Sequence, residues 1–198
     1  TGPLRRAGVV PHGVSNEFRG VALDRAWPRP GQPVHCLYVS NAAPYKHQWH
    51  VVRACADLRQ RGFDLRLSLV GGGSGPAQER LEAELELSDP RREFVSVIGF
   101  LPAERLPFVL AEADLFVFAS SCENMPNTLV EAMAAGLPIA CSNRGPMPEV
   151  LADGGVTFDP ESPPSIAAAV ERLLTDAKLR KDCANRAYQP VSYTHLTL

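Results

Sequence analysis

The 198-residue chain carries 20 basic and 22 acidic side chains, a formal charge of −2, and 45% hydrophobic residues. That balance fits a globular chain with one domain's worth of core, and it removes any electrostatic reason to expect nucleic acid or a bulk acidic surface as partner. Five widely spaced cysteines (Cys36, Cys55, Cys122, Cys141, Cys183) with no C-x2-C pair argue against a disulfide scaffold or zinc module, and no apolar stretch reaches the roughly 18 residues of a membrane span. A cytoplasmic setting is expected, with peripheral contact at the inner face of a membrane left open.

In chain order, residues 1–33 read as a linker, with four prolines from Pro11 onward, a "PHGV" turn at Pro11–Val14 and room for one short strand. From Val34 the pattern changes. "VHCLYVS", "LRLSLV", "FVSVIGF", "DLFVFAS", "PIACSN" and "GVTFD" are β-branched or aromatic runs that read as strands. Helical patterns follow the first four of these and the last, at 48–61, 75–87, 103–112, 128–135 and 165–174. Near-continuously hydrophobic strands alternating with helices predict a doubly wound, Rossmann-like parallel sheet over residues 34–176. Residues 177–190 read as a truncated C-terminal helix. The chain starts at Thr1 and ends in "VSYTHLTL", which resembles read-through of a sequencing adapter. Residues 191–198 are therefore expected to be foreign, and the native chain to be cut on both sides.

Open parallel sheets bind ligands outside the carboxyl ends of their strands, so the loops there matter most. "ENMPNTLVEAM" holds an E-x7-E pair, Glu123 and Glu131, and Glu131 is the only charge between Asn124 and Asn143. Pro126 and Asn127 lead into a short helix whose free N–H groups favour an anion such as phosphate. Thr128-x-x-Glu131 also spells a capping box, which by itself accounts for Glu131. The apolar surroundings, Leu129, Val130, Met133 and Ala134, argue instead for a buried carboxylate that needs donors, and the two hydroxyls of a ribose supply them.

Lys46, in "APYKHQW", sits where a helix begins and its charge gains nothing from the helix dipole. An arriving phosphate would remove that penalty, and a solvated surface lysine is the plainer alternative. His47 and His50 lack a carboxylate or cysteine at ligand spacing, and no D-x-D occurs, so no metal is expected. The loop "GGGSGP" fails the dinucleotide pattern because Pro76 stands where glycine or alanine belongs. Gly71 and Gly72 read instead as a tight turn with close approach of ligand or backbone. Ser120, Ser121 and Cys122 have no nucleophile elbow and no histidine near in sequence.

Taken together, "YVSNAAPYKHQW", "LSLVGGG", "FVSVIGFLPAERLPFVLAEADLFVFAS", "SCENMPNTLVEAMAAGLPIACSNRGPMPEV" and "GGVTFDP", in this order and spacing, resemble the C-terminal domain of a retaining glycosyltransferase of family 4, with the GT-B fold. The resemblance covers about residues 9 to 176. It implies two Rossmann-like domains facing across a cleft, of which this chain has the half that holds a nucleoside-diphosphate sugar. By position, Glu123 would bond hydroxyls of the donor sugar, and the backbone of Asn124, Met125, Pro126 and Asn127 would place that sugar. Thr128 and Leu129 would meet the diphosphate, Glu131 the ribose, Lys46 the leaving phosphates, and backbone at Ile98 and Gly99 the base.

Two positions depart from the family pattern. Asn41 stands where many members have an arginine, with Arg144 the candidate substitute, and His47 replaces the glycine that usually follows the lysine. The activity implied is sugar transfer to a carbohydrate or lipid-linked acceptor without metal or cofactor, the acceptor side belonging to the missing N-terminal domain. A nucleotide-sugar epimerase and a non-catalytic nucleotide-sugar-binding module are the alternatives.

Overall fold

The computed structural model describes residues 13–192. Six strands, β1 Val34–Val39, β2 Leu65–Val70, β3 Val95–Ile98, β4 Leu115–Phe118, β5 Ile139–Ser142 and β6 Val156–Phe158, form one sheet in the order β3-β2-β1-β4-β5-β6. Every neighbouring pair is parallel. This is the doubly wound α/β arrangement, and its order reverses between β1 and β4.

The helices are α1 Gln48–Gln60, α2 Pro76–Ser88, α3 Leu106–Glu112, α4 Asn127–Ala135, α5 Met147–Leu151, α6 Pro163–Thr175 and α7 Ala177–Ser192. α1 packs on α2 and α6, and α4 packs on α3, α5 and α7, so two helix layers enclose the sheet. Every residue of β4 and β5 is buried as a result, which is why these strands read as unbroken apolar runs. Phe116 is fully buried in β4, and truncating such a side chain to alanine costs about 3 to 5 kcal/mol. The edge strand β3 is looser, with Val97 46% exposed.

All six predicted strands are present, whereas some helix boundaries differ for local reasons. The stretch 103–112 divides into a 3-10 turn, Ala103–Arg105, and α3, where Pro107 occupies the first turn and needs no N–H acceptor. α6 starts at Pro163, because Ser162 caps it by accepting from the Ser165 N–H. The short α5 has Gly145 and Pro146 before it and Pro148 in its first turn, where no N–H acceptor is needed. α7 continues to Ser192, two residues into the stretch read as foreign, and residues 193–198 lie outside the described residues.

The segment before β1 does more than connect. Between residues 13 and 33 it forms a 3-10 turn, Asn16–Phe18, and further turns, with no strand among the described residues; Pro11 and His12 of the expected turn lie outside them. Its N–H groups go to a helix rather than a neighbouring strand: Gly20 N donates to Ala134 O at 2.8 Å and Ala22 N to Ala135 O at 2.9 Å. These are carbonyls that the end of α4 leaves unpaired. Val14, Phe18 and Ala22 join the core, and Arg25 Nε donates to Asp114 Oδ1 at 2.6 Å. The segment is a strap across the far end of α4.

Candidate functional site

The site forms where the loops after β1 and β4 leave the carboxyl edge of the sheet, at the reversal of strand order. After β1 the chain is pinned at several points. Ala42 N donates to Gly72 O at 3.0 Å, Gln48 Nε2 to Ser40 O at 3.0 Å, and the buried Tyr38 hydroxyl to Lys46 O at 2.6 Å. The Gly71 turn is part of this anchoring. Its φ of 129° is open to glycine, and a Cβ there would stand 2.2 Å from Ser40 O. Of the two approaches expected for Gly71 and Gly72, the structure shows backbone against backbone. Gly71 N also donates to Ile98 O at 2.9 Å, which joins the ends of β2 and β3. Gly99 is exposed beside Ile98, and Asn41 is exposed at the end of β1.

Lys46 closes a 3-10 turn, Pro44–Lys46, immediately before α1. It is only 8% exposed, so the plain alternative of a solvated surface lysine does not hold. Its Nζ lies 5.3 Å from the centre of the Tyr45 ring and 5.5 Å from that of Phe118, where aromatic faces favour a cation. It pairs with the Glu123 carboxylate, reached from the loop after β4. The two residues that the resemblance places at phosphate and sugar therefore neutralise one another.

α4 begins at Asn127 with Pro126 as its N-cap, and the expected capping box is not formed. Leu129 N and Val130 N both donate to Pro126 O, at 3.0 and 3.1 Å, which starts the helix one residue early and leaves Thr128 inside its first turn. Asn127 N donates to Met125 O, so the N–H groups of Asn127 and Leu129 are already used. Those of Asn124, Met125 and Thr128 have no acceptor among the described residues, and they are the donors left for an anion. Glu131 is half-buried with no hydrogen bond or ion pair among the described residues, and burial pushes its carboxyl up to about 7. It is a carboxylate without donors.

Arg144, in the loop after β5, is exposed and reaches Asp159 at 3.4 Å. A Cβ on the next residue, Gly145, would lie 3.7 Å from Ser121 O and 3.9 Å from Glu123 N. The loop of Arg144 thus abuts that of Glu123, whereas Asn41 offers no positive charge.

One contact had no signal in the sequence. His47 Nε2 lies 2.9 Å from Ser121 Oγ, across 74 residues. Only proximity in the fold brings that histidine to the serine. Among the described residues His47 Nδ1 has no partner, so no carboxylate there orients the ring as the third member of a nucleophilic triad. His50 stacks on His47 and its Nδ1 meets Pro160 O at 2.9 Å.

A cavity of about 360 Å³ lies elsewhere, lined by Arg25, Trp27, Asp114, Pro138 and Arg180. Asp114 and Pro138 precede β4 and β5, so this cavity opens at the amino ends of the strands. The carboxyl-end loops, with their paired charges and free N–H groups, are the better ligand site.

Comparison with known proteins shows the family and the fold. The family model described as "Glycosyl transferases group 1" matches residues 22–190. Among curated proteins, the chain is 34% identical over 157 residues to a GDP-mannose-dependent alpha-(1-6)-phosphatidylinositol monomannoside mannosyltransferase from Mycolicibacterium smegmatis, covering 73% of this chain and 39% of that protein. The chain spans about two fifths of the length of the curated relatives it matches. Among solved structures it resembles Anabaena Alr3699/HepE in complex with UDP and glucose, with TM-score 0.72, 22% identity, and coverage of 81% of this chain and 44% of that one. It also resembles the C-terminal domain of a group 1 glycosyl transferase, LpcC from Francisella tularensis, with TM-score 0.70, 21% identity, and coverage of 93% and 97%. No helix among the described residues is long and apolar enough to cross a membrane.

Proposed function

Because the chain belongs to the glycosyl transferases group 1 family, we propose that it is the donor-binding half of an enzyme that moves a sugar from a nucleoside diphosphate to an acceptor hydroxyl with retention of anomeric configuration. The observation that carries this reading is the Lys46–Glu123 pair at the strand-order reversal, beside the unpaired N–H groups of Asn124, Met125 and Thr128.

In this reading the arriving donor separates the pair. Its diphosphate takes Lys46 and the start of α4, and its sugar hydroxyls donate to Glu123, so each charge exchanges one partner for another. Glu131, which has no donor among the described residues, receives the ribose diol. As the bond from the anomeric carbon to the phosphate oxygen breaks, negative charge grows on the leaving diphosphate, and Lys46 with the free N–H groups stabilises it. This charge complement is the basis for proposing that no metal is required. Ile98 and Gly99 offer backbone to the base. The base itself stays open, since one similar protein is described as GDP-mannose-dependent and one similar structure holds UDP. A carbohydrate or lipid-linked acceptor would meet a second domain across the cleft.

The test is turnover by the intact enzyme with UDP- and GDP-sugars, its product analysed for anomeric configuration. Glu123→Ala and Glu131→Ala are expected to abolish transfer while leaving the fold intact. Wild-type rates in both variants refute the assignment, and sugar interconversion without an acceptor points to an epimerase instead.

A further inference from the structure

Lys46 lies between two residues that are both tied to the same partner. Tyr45 O accepts from Ser121 N at 2.8 Å, and His47 Nε2 meets Ser121 Oγ at 2.9 Å. Ser121 is two residues before Glu123, the carboxylate that Lys46 pairs with. The ion pair thus stands beside a short bridge that joins the loop after β1 to the loop after β4.

The side-chain part of the bridge has a direction. Ser121 Oγ also lies 3.4 Å from Tyr45 O, which can only accept; with the hydroxyl proton directed there, His47 Nε2–H donates to the hydroxyl oxygen. Nδ1 is then the unprotonated nitrogen, buried with no partner. Burial, with His50 stacked alongside, lowers the pKa of the ring, which disfavours the second ring proton that Nδ1 would have to donate.

The backbone at His47 is also held against its preference. Its φ of 49° and ψ of 32° are left-handed, a conformation that disfavours any side chain with a Cβ by about 1 to 2 kcal/mol. Glycine would occupy it freely. A histidine stands there, 7% exposed, with its side-chain hydrogen bond directed at the neighbouring loop.

We propose that His47 and Ser121 are positioning residues, whose side-chain hydrogen bond fixes the distance between the Lys46 and Glu123 loops and so presets both charges for the donor's diphosphate and sugar. The proposal rests on the donor-site reading given above. Neither residue touches the donor; both act through Lys46 and Glu123.

UDP and GDP titrated calorimetrically into the wild-type chain, H47G, S121A, S121T and the H47G/S121A double variant test this, with thermal unfolding of each. H47G and S121A are each expected to weaken binding by about 3- to 10-fold, the equivalent of one net hydrogen bond. The double variant should be no weaker than either single one, because all three lack the same bond. S121T, which keeps the hydroxyl, should return to within about twofold of wild type, and H47G should unfold no earlier than wild type because it relieves the left-handed strain. If wild type binds and H47G or S121A binds equally well, or if their effects add in full, the positioning role is refuted and the donor site stands. If wild type binds neither nucleotide, the donor-site reading fails and this proposal fails with it.

Discussion

Lys46 and Glu123 stand 77 residues apart in sequence and meet as an ion pair whose side chains are only 11% and 14% exposed. Each is the other's partner at the mouth of the sheet, so removing one leaves the other charge poorly solvated. Lys46→Met or Glu123→Gln should destabilise the chain by about 1 to 3 kcal/mol, and the double variant should recover much of that loss. In the intact enzyme all three should lose at least about 10²-fold in kcat. Chemical unfolding combined with steady-state kinetics separates the two effects; recovered activity in the double variant would contradict the roles assigned.

On the proposed reading, Glu131 should make ligand binding depend on pH. Its carboxyl is raised to about 7 in the folded chain, above the unfolded value, so folding stability declines as pH rises through that interval, and the full penalty applies above it. Glu131→Gln should therefore stabilise the chain by about 1 to 2 kcal/mol near pH 8, after discounting for solvent at a half-buried group, and change little near pH 4. A ribose diol favours the ionised form, so nucleoside diphosphate binding should release protons near neutral pH. Calorimetry in buffers of different ionisation enthalpy measures that release, and the Gln variant subtracts the contribution of the phosphates.

Gly71→Ala is expected to be among the most damaging single changes. Its φ of 129° excludes a side chain, and the added methyl would overlap Ser40 O, which is backbone and cannot rotate away. A loss of about 3 kcal/mol or more is expected, read as a drop in Tm, because the loop that carries Lys46 has to move with Ser40.

Arg144→Ala should raise the KM for donor several-fold in the intact enzyme while leaving Tm nearly unchanged. The pair with Asp159 is long and exposed and contributes about 0 to 1 kcal/mol, whereas the loop of Arg144 abuts that of Glu123. An unchanged KM would leave Lys46 and the α4 terminus as the phosphate-binding groups.

The strands were legible because strands buried on both faces must be apolar throughout, as "DLFVFAS" and "PIACSN" are. Lys46 stood out because its charge gains nothing from the helix dipole, and Glu123 and Glu131 as an E-x7-E pair whose second member lies among apolar residues, although a capping box offered Glu131 a local account. Three things were not legible, each because a distant or backbone partner decides it. The helix start at Pro126 overrode the Thr128–Glu131 capping pattern through two hydrogen bonds to one carbonyl. The left-handed His47 owes its conformation to a fold that brings Ser121 within 2.9 Å. The strap is proline-rich like a linker, and only the end of α4 shows what its N–H groups do.

That strap also fixes where a working piece of this protein has to begin. α4 has its first turn at the proposed donor site and its last carbonyls on Gly20 and Ala22, so the strap holds the end of the helix opposite that site. A recombinant version trimmed to the first strand at Val34 would keep every residue assigned to the donor and still release that end. Keeping Val14 to Arg25 is therefore a requirement for binding experiments on the isolated half.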